Sequence, residues 1–194
     1  MIKNENNNAK NILYPPGGIL IWIIIVVELI TFIAGLTAFA IFKNQNISLA
    51  EESQRYLSPL TGTVNTAILI TGGFFMAMAI KRIKAGDNNA SARMILYAII
   101  SGLAFLSLKG YEYFDKISEG IGIETNTFFT FYWLITGFHF IHVTVAVVIL
   151  TALYFSVKHN KYNQDNYLDV TTGGAFWHLC DLIWILVFPL FYLL

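Results

Sequence analysis

The 194-residue sequence is 56% hydrophobic and only 12% charged, with 16 phenylalanines and 10 tyrosines, a composition that excludes an ordinary water-soluble globule and assigns the chain to the membrane. Twelve basic residues balance twelve acidic ones, and no basic tract or aromatic-basic alternation points to nucleic acid as a partner. The lone Cys180 excludes an intrachain disulfide and any cysteine-clustered zinc or iron-sulfur site.

The chain opens with "MIKNENNNAKN", and residues 1–18 read as a disordered or interfacial tail. The apolar run behind it is long and has no small-x-small cleavage pattern, which predicts a retained first helix rather than a cleaved signal. A crossing helix needs roughly 20 apolar residues, and five stretches supply them, at about 19–42, 60–80, 94–114, 128–157 and 174–194. Pro15, Pro16 and a glycine pair precede the first; Pro59 opens the second and "KRIK" closes it. The third ends in the mixed "LKGYEYF". Nothing alternates with the period of a barrel strand, and in lipid each segment must satisfy its own backbone. The predicted fold is an all-α integral membrane protein, one bundle of five transmembrane helices over residues 19–194.

Five crossings put the termini on opposite sides. Lys3, Lys10, Lys81, Arg82, Lys84, Arg93, Lys158 and Lys161 gather on the N-terminal side, against Lys43, Arg55, Lys109 and Lys116 on the other. The excess predicts a cytoplasmic N-terminus and a periplasmic C-terminus.

Charge at membrane depth costs about 2.5–3.5 kcal/mol on insertion scales, so each such group needs a partner or a purpose. Six stand out: Glu28 in the first span, Glu112 in the third, His139 and His142 in the fourth, His178 and Asp181 in the fifth. Residues three apart share a helix face, so "HFIH" and "HLCD" each make one pair turned toward the protein. From the residues alone three readings stay open. The plainest is interhelical hydrogen bonding that fixes packing. A second is a metal or haem site, although two histidines on one helix face are poorly placed to span a haem ring. The third is a proton or ion path through Glu28 and the His-Asp pair. Gly72-Gly73, Gly102, Gly137 and Gly173-Gly174 read first as close-approach points, and no phosphate loop, nucleophile elbow or zinc-protease helix occurs.

The polar islands occur in an order that resembles the third subunit of haem-copper oxidases, including its shorter relatives linked to nitric oxide reductase. "WIIIVVELITF" is similar to the family helix with a central glutamate, here Glu28, and "GTVNTAILIT" to its asparagine-threonine helix start, here Asn65 and Thr66. "KGYEYF" resembles the Glu-Tyr pair, here Glu112 and Tyr113; "FYWLITGFHFIHV" the Gly-Phe-His-x-x-His-Val signature; and "FWHLCDLIWILVFPLFYLL" the Trp-His-x-x-Asp-x-x-Trp helix. The blocks run from about Ile19 to the C-terminus in family order.

The resemblance implies a non-redox accessory subunit with no catalytic residues and no metal of its own. It places haem and copper on the catalytic partner and structural phospholipid between helices. Glu28 matches a buried family glutamate linked to proton uptake and sustained turnover. Glu112, His139, His142, His178 and Asp181 are expected to form a buried polar core. Expected partners are the haem-copper catalytic subunit, other subunits of the respiratory complex and membrane lipid, in a bacterial inner membrane. Two N-terminal helices of the longer oxidase subunits are expected to be absent. Phe140 stands where oxidases commonly have glycine, and Leu179-Cys180 where they have Phe-Val; the short chain, the "FPLFYLL" ending and Phe140 tilt the expectation toward the nitric oxide reductase branch. An autonomous haem-binding electron carrier and a proton or ion transporter are the alternatives.

Overall fold

A computed structural model describes residues 19–194; the predicted tail over residues 1–18 lies outside the described residues. Six helices succeed one another in chain order: α1 Ile19–Gln45, α2 Ile47–Gln54, α3 Pro59–Lys84, α4 Asn88–Ser118, α5 Thr127–Lys158 and α6 Leu168–Tyr192. All but α2 are long and apolar enough to cross a membrane. The chain is an all-α, multi-pass membrane bundle; the described residues contain no strand, only an isolated bridge between Asn163 and Asn166.

Local chemistry sets the helix starts. Ser58 precedes Pro59 and accepts from the Thr61 amide, Asp87 accepts from the Ala90 amide, and Asn126 from the Phe129 amide, each satisfying one otherwise orphaned N–H. Gly86, at φ +80°, takes the left-handed turn that ends α3 and lets α4 fold straight back. Ser91 seals that hairpin by donating to the Ala79 carbonyl at 2.9 Å.

The helices outrun the predicted spans at polar ends. α4 and α5 have 31 and 32 residues, about 46–48 Å against a hydrocarbon core of about 30 Å. "NNASAR" therefore begins α4 six residues before its predicted start, and α6 begins at Leu168 instead of 174. At α4 the Asp87 cap, not hydropathy, decides the start, whereas α6 begins after Tyr167 without a side-chain cap. Hydropathy gives no sign of the short α2. It packs Ala50 and Ser53 inward, and Asn126 ties it to the start of α5 by donating to Ser53 Oγ at 3.0 Å.

α6 is the most enclosed crossing helix and α1 the least. α6 packs on α1, α3 and α5, while α4 lies between α3 and α5. Trp177, Trp184, Phe105, Phe128 and Phe191 are fully buried, and Phe39 of α1 stacks on Phe191 at 4.1 Å. Small residues permit the crossing of α4 with α5 and α6: a Cβ at Gly102 would stand 2.6 Å from Val147 Cγ2 and 2.8 Å from the Trp177 ring.

Candidate functional site: two acids and a polar stripe

The six predicted polar residues do not form one core. They separate into three groups, and His139 joins none of them by a direct hydrogen bond.

The tightest group lies where α4, α5 and α6 meet. Lys109 and Glu112, three apart on α4, face inward together. The lysine is fully buried and Glu112 nearly so, with Nζ 3.0 Å from Glu112 Oε1. The same Nζ donates to Tyr132 Oη at 2.9 Å and to Tyr192 Oη at 2.5 Å; both hydroxyls donate onward to Glu112 Oε1, at 2.6 and 2.5 Å. The ammonium also lies 4.7–5.4 Å from the ring centroids of Tyr113, Tyr132, Trp184 and Tyr192, where ring quadrupoles attract a cation. This corrects the sequence reading, which counts Lys109 among the loop charges that set orientation. The signal that could have found it is the i, i+3 spacing to Glu112. Tyr132 and Tyr192 give no signal, because their convergence comes from two other helices.

The second group joins α1 to α5. Glu28 Oε2 stands 3.0 Å from His142 Nε2, and His142 Nδ1 lies 2.7 Å from the Phe138 carbonyl oxygen. A carbonyl can only accept, so Nδ1 carries its hydrogen. Nε2 then faces Glu28 Oε2 at ion-pair distance, although the approach lacks hydrogen-bond geometry and that oxygen has no hydrogen-bond partner in the protein. Glu28 is half-buried, and the pair borders a groove of about 270 Å³ otherwise lined by Ile21, Ile141, Val145 and Phe176.

The third group is on α6. His178 Nδ1 and Asp181 Oδ2 are 3.3 Å apart. Asp181 is buried against Gly73 of α3, where a Cβ would collide with its Oδ2. His178 is a correction: predicted in the buried core, it is 46% exposed. A Cβ at Gly73 would stand 3.4 Å from the His178 Nδ1, so one edge of the ring meets α3 while nearly half the side chain stays uncovered. Sharing a helix face with Asp181 is not enough to bury it.

His139 is fully buried, and neither ring nitrogen has a protein partner. Its ring stacks on Trp184 at 5.1 Å and meets Phe105 edge-on at 5.8 Å. Asn65 of α3 is likewise buried without a partner for its amide, while the neighbouring Thr66 accepts from Trp184 Nε1 at 2.9 Å. Among the described residues no three His, Cys, Asp or Glu side chains are grouped to hold a metal ion.

Known proteins resemble this chain throughout. The family model described as cytochrome c oxidase subunit III matches residues 18–194. Cytochrome c oxidase subunit 3 of Synechocystis sp. is 31% identical over 171 residues, which is 88% of this chain and 72% of the relative. Cytochrome bo(3) ubiquinol oxidase subunit 3 of Buchnera aphidicola is 25% identical over 178 residues, 89% of this chain and 84% of the relative. A protein of Aeropyrum pernix called heme-copper oxidase subunit I+III is 28% identical over 133 residues, 68% of this chain but 16% of that longer protein. The order of helices, the inward acids on α1 and α4 and the match across every described residue lead to one conclusion: the chain belongs to the cytochrome c oxidase subunit III family.

Proposed function

We propose that this chain is the accessory, non-redox subunit of a haem-copper respiratory complex, seated beside the catalytic subunit and supporting its proton supply through Glu28. As a subunit III, the chain leaves haem and copper to its partner and performs no electron transfer of its own. The Aeropyrum pernix protein, whose name joins subunits I and III in one chain, supports a direct partnership. The autonomous haem carrier and the independent ion transporter gain no support from any relative.

The observation that supports the finer role is the Glu28–His142 pair, 3.0 Å apart. It joins the least enclosed helix to α5, beside a groove open toward whatever covers α1. A carboxyl group at membrane depth beside an imidazole is suited to exchange a proton. The Lys109–Glu112 group serves another purpose: sealed and fully paired on one oxygen, it holds α4, α5 and α6 in register.

Lys81, Arg82, Lys84 and Arg93, with Lys158 and Lys161, lie at one end of the bundle, against Lys43, Arg55 and Lys116 at the other. With Lys109 removed from the loop count the imbalance sharpens, which supports a cytoplasmic N-terminus in a bacterial inner membrane. The apolar outer face of α1, including Ile23, Val27 and Ile30, and the groove beside it suit structural phospholipid or other subunits. Partnership with a nitric oxide reductase instead of an oxidase rests on Phe140 and the "FPLFYLL" ending.

The test is purification of the tagged chain in mild detergent. A haem-copper catalytic subunit is expected to accompany it, and the branch is read from that subunit's oxygen or nitric oxide reductase activity. Glu28→Gln is expected to lower sustained turnover while haem content stays unchanged. Absence of any such subunit would overturn the accessory role; unaltered sustained turnover in Glu28→Gln would overturn the proton role.

A further inference from the structure

One face of α5 carries Tyr132, Thr136, His139 and His142, each about one turn beyond the last, over about 15 Å of helix. All four are buried. The outer end of this stripe is the sealed Lys109–Glu112 group, which Tyr132 completes, and its inner end is the Glu28–His142 pair beside the open groove. Thr136 Oγ1 accepts from Tyr113 Oη at 2.9 Å and donates to the Tyr132 carbonyl at 2.6 Å. Phe32 packs edge-on against both His139 and His142, and the Trp184 ring has His139 stacked on it with Lys109 Nζ 5.4 Å from its centroid. His139 thus stands between the two ionisable groups and touches rings that touch both.

Buried polar atoms in native proteins are hydrogen-bonded, to protein or to ordered water. His139 offers one donor and one acceptor, and neither meets protein. The same is true of Glu112 Oε2 at the outer group and of Asn65 on α3. Unpartnered buried atoms of both polarities, on this stripe and on neighbouring helices, are the condition under which internal water binds, since each molecule needs two to four polar partners.

We infer that His139 is a water-binding relay, through which the sealed Lys109–Glu112 group exchanges protons with the Glu28–His142 groove. Water on the groove side takes a proton from the Glu28–His142 pair as it gives one to the unprotonated ring nitrogen; the opposite nitrogen gives up its hydrogen, through water, to Tyr132 Oη, which passes its own hydrogen to Glu112 Oε1. The ring ends neutral in the other tautomer, the Glu28–His142 pair has lost one proton and Glu112 has gained it. The ionisable groups facing this stripe are Glu28 from α1, Lys109, Glu112 and Tyr113 from α4, Tyr132 and His142 on α5 itself, and Tyr192 from α6. The inference rests on Glu28 being a proton-holding residue, but its readout is separate from turnover.

The experiment uses the intact complex, with the histidines ¹⁵N-labelled, in lipid bilayers. Water-edited solid-state NMR is expected to transfer magnetisation to the His139 ring nitrogens, assigned by their loss in His139→Asn, about as strongly as to groove-facing His142. A dry His139 beside a wet His142 would overturn the relay whatever Glu28→Gln does to turnover. In a second measurement, infrared bands of the Tyr132 and Tyr192 hydroxyls are monitored after transfer to D₂O. In His139→Phe their exchange is expected to slow at least tenfold, while exchange at Glu28 keeps its wild-type rate. Unchanged tyrosine exchange in an assembled His139→Phe complex would also overturn the proposal. Should that variant fail to assemble, the wild-type NMR result decides alone.

Discussion

Glu28 and Glu112 are both carboxylates at membrane depth, and their surroundings give them opposite properties. Glu112 has one oxygen saturated by a lysine and two tyrosines, at a junction of three helices. Glu28 has one imidazole nearby, on a helix with most of its surface outside the bundle, and a groove in front of it. In the apolar interior a charge surrounded by fixed partners is held in place, whereas two groups of adjustable protonation beside a groove are not. Burial of an acid therefore does not by itself decide how strongly it holds the fold; the number and kind of its partners do.

The heaviest loss is expected on the sealed side. Lys109→Met leaves the Glu112 carboxylate buried without its counter-charge, and removing one partner of a buried pair costs about 3–5 kcal/mol. Thermal unfolding of the purified complex should show early loss of this subunit. Restoring much of the loss with Lys109→Met combined with Glu112→Leu would show that the isolated charge, not lost packing, is the damage.

Gly102→Ala comes next. Its Cβ meets Val147 and the rigid Trp177 ring well inside contact distance, and overpacking of this kind costs about 1–3 kcal/mol. A measured change under about 0.5 kcal/mol, the scale of an ordinary surface substitution, would mean that α4 and α6 separate more easily than their packing implies. Tyr192→Phe removes one hydroxyl from Glu112 and Lys109 and should cost about 1–3 kcal/mol for partners left unsatisfied.

Least change is expected at His178. Since nearly half its side chain is exposed, His178→Ala should change stability by no more than about 0.5 kcal/mol, as surface substitutions do. Asp181→Ala, buried against Gly73, should cost clearly more. Equal losses in the two variants would show that His178 is covered in the assembled complex.

The five crossings are legible in the sequence because hydropathy acts over long windows, and the family is legible because the polar islands keep their order and spacing. Glu28, Glu112, His139, His142 and Asp181 are visible as charges or imidazoles in apolar runs. Their grouping is not visible. Pairing of His142 with Glu28, and of Glu112 with Tyr192, depends on which helices touch and at what depth, and spacing along one chain does not encode that. Lys109 misleads for the same reason: it lies inside the predicted third span yet reads as one of the charges of one side, and only the convergence of Tyr132 and Tyr192 on it shows that it is buried. His178 misleads in the opposite sense, because a shared face with Asp181 does not say how much of each side chain the neighbouring helix covers.

The division of labour between the two acids is open to one decisive comparison, of Glu28→Gln with Glu112→Gln in the same purified complex, recording sustained turnover and thermal unfolding for each. Glu28→Gln should lose turnover over repeated cycles while unfolding at the wild-type temperature, and Glu112→Gln should unfold earlier. Full sustained turnover in Glu28→Gln, or an unfolding temperature lowered as much by it as by Glu112→Gln, would contradict that division.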